Sequence, residues 1–88
     1  MYYFLMKYSF TRKDGQVIPD SLALLPVFFR LDSEYKQAGL LGGVPDLNRG
    51  SDTYVEVEVH DTVTIEQMIP IMDKLGYKPL ERNPAPSS

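Results

Sequence analysis

VEVEVHDTVTIEQMIPIMDKLGY, Val55 to Tyr77, is the stretch that decides the fold. It opens by alternating. Val55, Val57 and Val59 take one side, and Glu56, Glu58 and His60 take the other. That is the period of a strand with one packed face and one wet face. The period then changes. Ile65, Met68, Ile69, Met72 and Leu75 recur at helical spacing, behind a Thr64 able to cap the helix with Gln67 as its capping-box partner. Gly76 stops the helix, and Pro70 sits early in it as a possible kink. Tyr77-Lys78-Pro79-Leu80 reads as a short edge strand, because proline is tolerated at edges.

The N-terminal part carries a similar strand and helix. In residues 2–10, Tyr2, Phe4, Met6, Tyr8 and Phe10 share one face, and Tyr3, Leu5, Lys7 and Ser9 share the other. Asp14-Gly15 predicts a hairpin returning through Gln16-Val17-Ile18 until Pro19 ends the pairing. Asp20 or Ser21 can cap a helix from about Leu22, with Pro26 at the end of its first turn. That helix has two apolar stripes, Leu22-Leu25-Phe29 and Leu24-Phe28-Leu31-Tyr35. A rival reading makes Val27–Leu31 a strand followed by a short helix capped by Asp32. An echo between LPVFFRL (residues 25–31) and IPIMDKL (residues 69–75) favours the helix and two strand–helix units. Gly39 stops the helix in either case.

The expected architecture is therefore α+β: one small domain over residues 1–82, an antiparallel sheet with two helices on one face, in a ferredoxin-like, split βαβ arrangement. Residues 39–52, GLLGGVPDLNRGSD, have no period and read as a long mobile loop. Residues 83–88 read as a disordered tail.

Composition narrows the function. The 88 residues contain no cysteine, which excludes a disulfide framework, a thiolate metal site and a cysteine nucleophile. A small domain without disulfides points to a reducing, cytoplasmic setting. MYYFLMKYSF lacks the basic leader and small-residue cleavage site of a signal peptide. No apolar run is long enough to span a bilayer. Net charge is −3, and the segment Asp52–Asp73 holds six acids (Asp52, Glu56, Glu58, Asp61, Glu66, Asp73) with no Lys or Arg. One side of the fold is expected to be negative. This disfavours nucleic acid and anionic membranes and suits a basic protein partner.

The candidate chemical motifs are weak. Glu56, Glu58 and His60 share a strand face, yet zinc wants more nitrogen or sulfur than one histidine supplies. An ordinary wet strand face explains them more simply. Asp46-x-Asn48-x-Gly50-x-Asp52 opens like a calcium loop, but Ser51 and Val57 stand where the pattern needs Gly and Glu. Gly39–Val44 has neither glycine-rich phosphate motif. No catalytic, cofactor-binding or metal-binding residue is assigned, and no cofactor is expected. The reading is a non-enzymatic protein-interaction module that also self-associates, expected as a homodimer. Its expected contact residues are Leu40, Leu41, Arg49, Asp52, Glu56, Glu58, His60 and Asp61. The surplus apolar surface of the first helix supports the same class. The alternative is a small-molecule sensor with a pocket lined by tyrosines.

Overall fold

The computed structural model describes residues 5–40 and 45–80. Its elements are β1 (Leu5–Arg12), α1 (Leu25–Gln37), β2 (Asp46–Arg49), β3 (Val55–His60), α2 (Ile65–Lys74) and β4 (Tyr77–Pro79). The strands form one sheet in the order β2-β3-β1-β4, with every neighbouring pair antiparallel. The expected α+β class is therefore observed.

Period-2 patterning sets the central strands. Tyr8 and Phe10 of β1 and Val55, Val57 and Val59 of β3 all turn inward and are buried. Their register pairs Met6 with Val59, Tyr8 with Val57 and Phe10 with Val55. Both helices lie on this side: Leu31 and Tyr35 of α1 and Ile65, Met68, Ile71 and Met72 of α2 join the same core. Among the described residues, no helix covers the opposite sheet face.

α2 follows the sequence closely, except that Ile71 takes the core position expected of Ile69, which is 37% exposed. Thr64 Oγ1 accepts from the Gln67 amide, and the Gln67 side chain accepts from the Thr64 amide at 2.8 Å, a complete capping box. Gly76 takes φ 91° just past the helix, a conformation that any Cβ would strain.

Three expectations need correction. First, Asp14-Gly15 does turn, with Gly15 at φ 75°, but no strand returns through Gln16-Val17-Ile18. β3 and β4 occupy both sides of β1, so a hairpin partner has nowhere to pair. The Ile18 amide instead donates to the Asp52 carbonyl at 2.8 Å, and its side chain enters the core. Second, the helix begins at Leu25 rather than Leu22. Asp20 caps the preceding turn, its Oδ1 accepting from the Ala23 amide at 2.9 Å. Val27–Leu31 is helical, which removes the rival strand. Third, the 39–52 loop contains β2, whose Leu47 pairs with Val57. Leu47 is the only strongly apolar residue in this four-residue strand, so alternation cannot reveal it. The expected tail at 83–88, Leu41, and the strand positions Tyr2, Tyr3 and Phe4 lie outside the described residues.

Candidate functional site

β3 answers the question that its sequence raises. With the valines inward, Glu56, Glu58 and His60 stand on the helix-free face, each half-buried. The register extends this into rows. Asp46, Glu58 and Lys7 lie side by side across β2, β3 and β1; Asn48, Glu56 and Ser9 form the next row. Lys78 of β4 lies opposite Thr11 on the same face. The acids thus occupy the β2–β3 half and the lysines the β1–β4 half. None of Asp46, Glu56, Glu58, Lys7 and Lys78 forms an ion pair with another described residue.

His60 is engaged locally. The Thr62 amide donates to its Nδ1 at 3.2 Å, with Thr62 Oγ1 at 2.9 Å and Asp61 Oδ1 at 3.0 Å from the same nitrogen. The imidazole closes the turn that ends β3. Among the described residues, no three His, Asp or Glu side chains are grouped as metal ligands would be. Successive outward positions on a strand are about 7 Å apart and project in parallel, so these three side chains do not converge.

The other expected contact residues scatter. Arg49 turns away from the wet face: its Nε donates to the Pro19 carbonyl at 3.1 Å and its Nη2 to the Ile18 carbonyl at 3.4 Å. It clamps the 18–19 segment to β2. Asp52 is exposed, and its carbonyl holds Ile18. Leu40 packs against the core. Asp61 stands at the end of β3 beside His60. The acidic segment is not one surface. Glu56 and Glu58 face away from the helices, while Glu66 and Asp73 ride on α2. Asp73 is matched by Lys13 at 2.8 Å.

The described tyrosines do not gather as a pocket wall. Tyr8, Tyr35 and Tyr77 are core residues. Burial raises all three phenol pKa values, helped at Tyr8 by Glu66 and at Tyr77 by Asp14 against Arg12. Tyr54 lies over Gly50, where an added Cβ would collide with the ring. A cleft of about 290 Å³ between the helices is lined by Glu34, Gln37, Gln67, Pro70 and Lys74 among others, without a tyrosine.

Among the described residues, α1 and the turn before it expose a group of apolar side chains. The Leu24-Leu31-Tyr35 stripe is buried, but Leu22, Leu25 and Phe29 are 76%, 45% and 64% exposed. Phe28 stacks obliquely against Phe29 with ring centroids 5.7 Å apart. Beside this ridge a shallow groove runs between Leu24, Leu25, Phe28 and Leu47 of the edge strand β2. The sequence shows both stripes; which one faces water depends on the sheet's position. Lys7 and Asp46 were missed as neighbours of Glu58, because register is not written in the alternation.

No family model, curated protein or solved structure matches the chain. Among the described residues, no helix is long and apolar enough to cross a membrane.

Proposed function

We propose that this chain is a ferredoxin-like, non-enzymatic interaction module that binds a protein partner through the apolar ridge of α1. The βαββαβ order and the strand order β2-β3-β1-β4 support the ferredoxin-like reading. Exposure of Leu25 and Phe29 on α1, with Leu22 in the turn before it, carries the functional reading. Isolated apolar residues on a surface mean little, but a contiguous group of this kind marks a contact. Covering the exposed part of Phe29 or Leu25 contributes roughly 1–2 kcal/mol each, since about half of each side chain is still open to water. The neighbouring groove offers a seat for one apolar side chain of the partner. On this reading the contact lies on the helix rather than on the acidic segment or the 39–52 loop.

The test is capture of partners by immobilised protein, wild type beside the double variant Leu25→Ser/Phe29→Asp. Circular dichroism confirms that both are folded. The wild type is expected to retain a protein that the variant releases. Equal retention by both would remove the ridge as the contact.

A further inference from the structure

The helix-free sheet face is charged in two halves, and it complements itself. Asp46, Glu56 and Glu58 lie on β2 and β3; Lys7 and Lys78 lie on β1 and β4. We propose that this face docks on the same face of a second copy, about a twofold axis parallel to the strands. This uses a different surface from the α1 ridge and stands or falls separately.

Symmetry selects the arrangement. Two sheets can meet face to face about an axis along the strands or across them. An axis across the strands lays β3 on β3 and sets Glu56 and Glu58 of the two copies against each other. An axis along the strands, passing between β3 and β1, lays β3 of one copy on β1 of the other. Glu58 and Lys7 are directly opposite in the intrachain register, so they lie at the same height along that axis. Glu58 of one copy then faces Lys7 of the other, and the contact repeats reciprocally, as an isologous interface requires. Both residues are on the two central strands. They stay close to the axis when the sheets rotate by about 30° to accommodate twist. Leu5, 52% exposed on this face beside His60, adds an apolar contact.

The area limits the strength. Strands spaced about 4.8 Å apart and rising about 3.4 Å per residue give a footprint of roughly 20 by 20 Å. Two such faces bury on the order of 1,000 Å², the low end for specific association. The dimer is therefore weak and exchanging, and its charge pairs decide whether it forms. Salt loosens it by screening them.

Sedimentation of the full chain over a range of concentrations tests this. The wild type should dimerise at low salt and dissociate as salt rises. Lys7→Glu alone and Glu58→Lys alone should each weaken the dimer at least about tenfold. Mixed in equal amounts, the two variants should form a heterodimer that neither forms alone. That last result separates pairing between copies from any effect on the cross-strand neighbours within one chain. Lys7→Gln and Glu58→Gln serve as gentler variants if a charge reversal fails to fold, each expected to weaken the dimer without abolishing it. Leu25→Ser/Phe29→Asp should leave the dimer intact. A chain that stays monomeric at low salt would overturn the proposal. So would a dimer indifferent to Lys7 and Glu58, a mixture that does not associate, or a dimer lost with the α1 ridge.

Discussion

Tyr8 carries a hydroxyl into an apolar core and donates it to the Val63 carbonyl at 2.8 Å. That bond ties β1 to the turn before α2. Tyr8→Phe should cost about 1–2 kcal/mol in denaturant unfolding, because the Val63 carbonyl is left without its partner. The same burial sets an alkaline limit. The folded-state pKa values of Tyr8, Tyr35 and Tyr77 lie above the unfolded value of 10.0, so the folded chain holds these protons more tightly. Their contribution is complete below that pH and is lost as pH rises from 10.0 through the folded values. The denaturation midpoint should fall across that alkaline window. Tyr35→Phe should make the fall shallower; an unchanged slope would show that the phenol ionises freely. Gly50 is fixed by a neighbour rather than by its own dihedrals, since a Cβ there meets the Tyr54 ring. Gly50→Ala should cost about 1 kcal/mol, and less in a Tyr54→Ala background, where the clash is gone. Equal costs in both backgrounds would place the strain elsewhere.

Legibility divides sharply among the elements. α2 was readable because the local cues agreed on a helix: a cap, its reciprocal partner, an apolar stripe and a terminal glycine, even though Ile71 rather than Ile69 faces the core. Thr64→Ala removes the hydroxyl that accepts from the Gln67 amide, leaves the backbone half of the capping box in place, and should cost about 1 kcal/mol by thermal or denaturant unfolding. A variant as stable as wild type would mean the box is ornamental. β2 was unreadable for the opposite reason. Four residues with only Leu47 partly buried carry no period, and their pairing with β3 is decided by chain topology. The Asp14-Gly15 turn shows a true local signal overruled by a tertiary fact. The turn forms, but β1 already has neighbours on both sides. The echo between residues 25–31 and 69–75 pointed to two helices, yet its two copies are not equivalent. The first opens α1, and the second runs to the end of α2. Alternation in β3 told correctly which side of Glu56, Glu58 and His60 was wet. It could not tell that Asp46 and Lys7 would lie beside Glu58.

At the scale of the whole molecule, one sheet separates two kinds of surface. Its inner face, closed by α1 and α2, holds the core; its outer face carries charge sorted by strand, with no ion pair between Asp46, Glu56, Glu58, Lys7 or Lys78 and another described residue. The outer side of α1 exposes Leu25 and Phe29, with Leu22 exposed in the turn before it. The central claim is that Leu22, Leu25 and Phe29 are surplus to folding and kept for contact. Denaturant unfolding of Phe29→Asp beside Leu31→Ala tests it most directly. Leu31 is fully buried, and Phe29, two positions before it on the same helix, is 64% exposed. Leu31→Ala should lose about 2–5 kcal/mol, and Phe29→Asp should stay within about 0.5 kcal/mol of wild type. A loss at Phe29 as large as that at Leu31 would make the ridge part of the core and contradict its role as a contact surface.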